Sequence, residues 1–195
     1  MVPLTELQAK ALAAIARAWP EAGIVVIGAL ALARHIPMSH RKTDDLDLVV
    51  AVPLEDFPGP MKSLPGWRSH PKKEHCFFSP DGQQVDLVPA GAALVAQGYV
   101  EWPSGARMSL AGFGLAFAHA TRELAGSTAV LVPPAPVIAL LKMRAWLDRP
   151  HIREKDLADM HIFSSSTSAT TMYGISRRST SSTSVLSSRR YHRSY

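Results

Sequence analysis

The sequence predicts an α+β fold, a small mixed or antiparallel sheet flanked by helices and followed by a C-terminal helical part. Three observations carry that prediction. Short apolar or alternating runs at 24–27, 46–52 and 84–88 read as strands, each bounded by Gly, Pro or Asp. Apolar residues at helical spacing fill 4–19, ahead of the first of these runs. After Pro133-Pro134 the strand pattern stops and helical spacing takes over.

In chain order, Leu4–Trp19 reads as a helix. Thr5 suits its N-cap, and Leu7, Ala11, Leu12, Ile15 and Trp19 form the stripe expected to pack on the sheet. Pro20 ends it. Ile24–Ile27 is a buried strand, and Gly28–His35 a short helix stopped before Pro37. A polar, basic loop runs to Lys42, and Leu46–Val52 is the next strand. The proline-rich stretch 53–65 holds a short helix. Trp67–His70 and His75–Ser79 read as strands, and Asp81-Gly82 marks a hairpin leading into Gln84–Val88. Gly91–Gly98 is a helical turn. Tyr99–Leu110 and Phe113–Phe117 fit helix and strand equally, and Thr128–Val132 is a strand. One helix then runs to Leu147, Pro150 breaks it, and a second spans Glu154 to about Phe163.

Composition narrows the function classes. At 195 residues and 47% hydrophobic content the chain can bury one sizeable core. Its single cysteine, Cys76, excludes an internal disulfide and fits a reducing compartment. No apolar run approaches the roughly 20 residues that span a bilayer, and no secretory signal opens the chain. The expected location is cytoplasmic, with no membrane partner. The formal net charge is +5, yet the first 163 residues carry 16 basic and 16 acidic groups. The excess comes from Arg177, Arg178, Arg189, Arg190 and Arg193, so it does not describe the folded body.

The chemistry centres on Asp45-Leu46-Asp47. On a strand, positions two apart share a face, so both carboxylates project together while Leu46 and Leu48 turn inward. Adjacent carboxylates repel unless a cation lies between them, which suits a hard divalent ion. The same pair also suits a strand end or helix start. Gly28-Ala29 follows an apolar strand and opens a helix, a place where free backbone N–H groups suit phosphate. Asp86 offers a third carboxylate, and a hairpin would set it beside Asp45 and Asp47. Arg41 and Lys42 either face a triphosphate or line a solvated loop. Thr43 caps local backbone or supports the aspartates.

Gly28-Ala29, Arg41-x-Thr43-x-Asp45-Leu46-Asp47 and then Asp86 resemble the nucleotidyltransferase superfamily that includes DNA polymerase beta. Alanine at 29 departs from that family's usual Gly or Ser, which removes a hydroxyl contact and leaves the backbone donor. A second block, Lys142-x-x-Ala145-x-x-x-Arg149 followed by Lys155-Asp156-x-x-Asp159, resembles the AbiEii-type branch, toxins of type IV toxin–antitoxin pairs. The resemblance covers about residues 20–163. It implies a nucleotidyltransferase core over 1–132 and a helical part over 133–163.

The resemblance implies metal-dependent transfer of NMP from an NTP to an RNA, tRNA-like acceptor. Asp45, Asp47 and Asp86 would hold Mg²⁺ or Mn²⁺. Gly28, Ala29, Arg41, Thr43 and Lys142 would bind the nucleotide, and Lys142 and Asp159 would join the catalytic set. For Lys142, Asp156 and Asp159 an ion-pair network is the competing expectation. A cognate antitoxin is an implied partner. Two other functions compete: a small-molecule, antibiotic-type nucleotidyltransferase, and an inactive binding component of a toxin–antitoxin pair. Residues 164–195 hold 12 Ser, 5 Thr and 5 Arg with no acid, and are expected to be a disordered or frameshifted tail. No zinc spacing, Walker loop, dinucleotide fingerprint or Gly-x-Ser-x-Gly occurs.

Overall fold

The computed structural model describes residues 2–36, 43–152, 154 and 156–164. Arg41, Lys42, Lys155 and the stretch 165–195 lie outside these, and the expectations placed on them go with them. Helix α1 (Glu6–Ala18) opens with a capping box: Thr5 accepts from the Gln8 backbone, and the Gln8 side chain accepts from the Thr5 backbone. It buries Gln8, Ala11, Leu12 and Ile15, and Trp19 follows it into the core. Leu7, expected in that stripe, is 42% exposed. The capping geometry turns Gln8 inward in its place.

Strand β1 (Ile24–Val26) leads through Ile27 into helix α2 (Gly28–Ala33). Strand β2 (Leu46–Val50) returns antiparallel to β1, with Val26 opposite Leu48. A short helix α3 (Pro58–Ser63) precedes β3 (Arg68–His70), β4 (Lys73–Phe78) and β5 (Gln84–Pro89). Helix α4 (Ala92–Gln97), the hairpin β6 (Tyr99–Glu101) and β7 (Arg107–Ser109), and helix α5 (Phe113–His119) follow. The stretch from 99 to 117, ambiguous in sequence, thus resolves into a hairpin and a helix. Strand β8 (Thr121–Ala125), not anticipated, pairs antiparallel with β9 (Thr128–Val132).

Among the described residues seven strands form one mixed sheet, in the order β3-β4-β5-β2-β1-β9-β8. The β2–β5 and β1–β9 pairs are parallel and the others antiparallel. Central strands carry the core: Val25, Val26, Leu46, Leu48, Val50, Val85 and Leu87 are fully buried. Each such side chain contributes about 1.5–3 kcal/mol relative to exposure. By strand parity Leu46, Leu48 and Val50 share one face and Asp47 and Val49 the other. The Leu46 face also takes Phe77, whose ring meets Phe57 edge-on at 5.9 Å; Phe57 in turn stacks on Trp19 at 5.8 Å.

Pro134 caps helix α6 (Ala135–Asp148), which packs on α2 and α5. His35 Nε2 lies 2.9 Å from the Pro133 carbonyl oxygen and ties the end of α2 to this junction. A 3₁₀ turn, Pro150–Ile152, links α6 to a last helix, α7, over 156–164. Ser164 is still helical, its hydroxyl donating to the His161 carbonyl. Among the described residues no helix is long and apolar enough to cross a membrane.

Candidate active site

Register brings two of the three sheet aspartates together. Asp47 on β2 lies directly opposite Asp86 on β5 in a parallel ladder. Cα partners in a ladder point their side chains to the same face. Asp45, two residues before Asp47, lies just ahead of the ladder, in a bend before β2. All three carboxylates are half-buried. Asp86 accepts a hydrogen bond from Gln84 Nε2 at 3.2 Å. Asp47 also sits against Gly28. A Cβ at position 28 would overlap the Asp47 carboxylate, and Gly28 has φ +68°, so glycine is required there twice over. The Ile27 amide donates to the Asp47 carbonyl at 3.0 Å, which fixes the strand-to-helix corner to the aspartate. Ala29 is buried in α2, 3% exposed, and Thr43 is half-buried.

Cys76 completes the row from the other side, opposite Asp86 across β4–β5 and fully buried. Burial, then the neighbouring Asp86 and the more distant Asp45, push its thiol up to about 12. It is therefore a neutral thiol at neutral pH, and the charged donors of this face are carboxylates. Among the described residues no three His, Cys, Asp or Glu side chains are gathered closely enough to cage a metal ion. An open set of carboxylate oxygens fits Mg²⁺ or Mn²⁺, which keep waters and phosphate oxygens in their coordination, and does not fit a soft ion.

Lys142 has a different setting. It is 6% exposed, with Asp156 and Asp159 at 4% and 0%. Its ammonium lies 3.0 Å from Asp156 Oδ1 and 2.7 Å from Asp159 Oδ2, pinning α6 to α7. Arg149 does not join them; it is exposed at the C-cap of α6.

Sequence reasoning missed two glutamines. Gln8 donates from Nε2 to the Thr43 carbonyl at 3.0 Å, and Gln83 donates from Nε2 to the Asp44 carbonyl. The signal for Gln8 was present, since Thr5-x-x-Gln8 is a capping-box pattern. Nothing local marks Gln83. Beside Asp45 lies a cleft of about 870 Å³ lined by Glu6, Lys10, Asp44, Asp45, Phe78 and Gln84, among others.

The family model described as nucleotidyl transferase AbiEii toxin, type IV TA system, matches residues 10–175. Among solved structures, ANT(2")-Ia in complex with adenylyl-2"-tobramycin is similar over 88% of this chain and 95% of that one. The identity is 16% and the TM-score 0.52, a likeness of fold. An antigenic nucleotidyltransferase-like protein from Paracoccidioides brasiliensis is similar over 82% of this chain and 77% of that one, at 18% identity and TM-score 0.49. No curated protein matches the chain.

Proposed function

The chain belongs to the AbiEii family of nucleotidyltransferase toxins, and we propose that it transfers NMP from an NTP to an RNA, tRNA-like acceptor at the β2–β5 aspartates. Nucleotidyl transfer is the activity of the family. The acceptor, the metal and the residues are this proposal's own. The observation that carries it is the register pair Asp47–Asp86, with Asp45 two residues upstream of Asp47 and Gly28 fitted against Asp47.

In the reaction, an acceptor hydroxyl oxygen attacks the α-phosphorus of the NTP. The bond to the β-phosphate oxygen breaks, and pyrophosphate leaves with that electron pair. Asp45, Asp47 and Asp86 would hold Mg²⁺ or Mn²⁺, which when bound supplies charge neutralisation at the reacting phosphate. Asp86 also suits acceptance of the hydroxyl proton, being half-buried on the same face. Gly28, Ala29, Arg41 and Thr43 remain the proposed nucleotide-binding set; Arg41 lies outside the described residues. For Lys142 and Asp159, burial in a cluster with Asp156 supports a structural pin over direct chemistry. A cognate antitoxin is the partner the family suggests, and the reading places the protein in the cytoplasm.

A small-molecule acceptor is the second reading. The cleft beside Asp45 carries Glu6, Asp44 and Asp45 against Lys10, which is already paired with Glu6 at 2.8 Å. Such a lining favours an acceptor bearing amines over one bearing phosphates. The test incubates the full chain with Mg²⁺, each labelled NTP and total tRNA, beside Asp47→Ala. Label on tRNA only with Asp47 intact is the expected result. No label on tRNA, with metal-dependent NTP binding retained, would turn the search to small amines. Absence of both would leave an inactive binding component.

A further inference from the structure

Of the three carboxylates, two are placed by the sheet itself. Asp47 and Asp86 lie inside the β2–β5 ladder, which begins with Leu46 opposite Val85. Asp45 lies one residue before that first pair, where the ladder no longer sets the backbone. The chain entering β2 is instead held from two sides by carboxamides.

Gln8, on α1, is 1% exposed. Its Oε1 accepts from the Thr5 amide at 2.9 Å, and its Nε2 donates to the Thr43 carbonyl at 3.0 Å. Gln83, in the β4–β5 turn, is 7% exposed. Its Nε2 donates to the Asp44 carbonyl at 2.5 Å and to the Gln84 carbonyl at 2.8 Å. The turn that carries it is fixed in turn: the Gln83 amide donates to Ser79 Oγ at 3.1 Å, and the Ser79 amide to the Gln83 carbonyl at 2.9 Å. A buried carboxamide without partners is costly, so each side chain has a strong reason to keep its carbonyl. The two bonds fall on consecutive residues, Thr43 and Asp44, directly ahead of Asp45.

We propose that Gln8 and Gln83 are positioning residues that clamp the 43–44 backbone and so set the approach of the Asp45 carboxylate to Asp47 and Asp86, where a divalent cation would draw the three together. The inference rests on the reading of those three carboxylates as a cation site. Neither glutamine touches the cation; both act through the backbone, as outer-shell partners orient ligands in metal sites. The helix α1 and the β4–β5 turn thereby acquire a stake in cation affinity, although neither carries one of the three carboxylates.

The test is a Mn²⁺ titration of the full chain, with free Mn²⁺ read by electron paramagnetic resonance. Wild type, Gln8→Glu, Gln83→Met and Asp47→Ala are compared, with thermal unfolding measured with and without Mn²⁺. Gln8→Glu keeps the acceptor that caps α1 and removes the donor to Thr43. Its added negative charge alone would tighten Mn²⁺ binding, so weaker binding reports lost position. The expected result is a rise of about tenfold in the dissociation constant for each variant, and a smaller Mn²⁺-induced rise in unfolding temperature. The two variants sit on different elements, so a folding failure in one leaves the other to decide. Unchanged Mn²⁺ affinity in a folded glutamine variant, with binding lost in Asp47→Ala, would overturn the clamp and leave the cation site standing. No Mn²⁺ binding by wild type would overturn the cation site and the clamp with it.

Discussion

The sheet and the helical hairpin use the same functional group in opposite settings. Asp47 and Asp86 are half-buried opposite one another on β2–β5, and Asp45, just ahead of β2, is half-buried too. Asp156 and Asp159 are almost fully buried and close on a cation that the chain supplies, Lys142, at 3.0 and 2.7 Å. The hairpin answers the repulsion between its carboxylates by an internal ammonium, and on the proposed reading the sheet would answer its own by an exchangeable ion. Loss of a group should therefore cost stability in the hairpin and chemistry on the sheet.

The largest effect is expected at the hairpin. Lys142→Met leaves two carboxylates in a dry site, and breaking such a set typically costs about 3–5 kcal/mol. Denaturant unfolding should show that loss. Replacing the set together, as Lys142→Met with Asp156→Leu and Asp159→Leu, should recover most of it, because well-packed apolar groups avoid the desolvation penalty. Full recovery of stability with retained transfer activity would confirm a pin. Recovered stability without activity would instead return Lys142 or Asp159 to the reacting atoms, and the contrast between the two regions would break.

Next comes Asp47→Ala, the mirror experiment. On the proposed reading this loses a carboxylate that would hold the cation and removes several kcal/mol of charge stabilisation from the transition state, a fall of roughly 10²–10³ in transfer rate. Unfolding temperature should change little, since the side chain is only half-buried. A large stability loss with unchanged rate would put the sheet aspartates in the same class as the hairpin.

Gly28→Ala is expected to lie between these. The left-handed φ of +68° costs an alanine about 1–2 kcal/mol, and its Cβ would overlap the Asp47 carboxylate. Both stability and transfer rate should fall, and they should fall together. This sharpens the comparison, because it is the one position where the sheet site's geometry is also a folding requirement.

What the sequence made legible follows from range. The strand–Gly28 corner and the three-residue step from Asp156 to Asp159 are local patterns, readable from strand and helix periods. The parallel register that puts Asp86 opposite Asp47 is a non-local pairing, and no local pattern carries it. Strand β8 was missed because it is the outer strand of the sheet: of Thr121, Arg122, Glu123, Leu124 and Ala125 only Ala125 is buried, so alternation is weak. The β6–β7 strands are three residues each, too short to show a period. Gln8 and Gln83 are polar residues in buried positions, and their partners are backbone carbonyls that a sequence does not display. Burial of Lys142 depends on how α7 folds back on α6, which no local pattern carries.

The smallest effect tests whether distance or burial makes the difference. Arg34, at the end of α2, pairs with Glu123 on β8 at 2.7 Å, the same distance as Lys142 to Asp159. The Arg34 and Glu123 side chains are 38% and 17% exposed, against 7% and 0% in the hairpin. Water screens the outer pair, so Arg34→Gln should cost only about 0.2–1 kcal/mol. The Arg34 guanidinium holds the Glu123 carboxyl below its ordinary value of 4.5. A lowered folded value stabilises the protein above the unfolded value and loses that effect as pH falls through the folded one. The stability gap between wild type and Arg34→Gln should thus be present at pH 7 and close as the pH drops below about 4. Added salt should narrow the same gap at pH 7 and leave the Lys142→Met loss nearly unchanged. If the exposed pair proves as costly to break as the buried one, then separation rather than dehydration governs both. The argument that sorts the two aspartate clusters by burial would then fail.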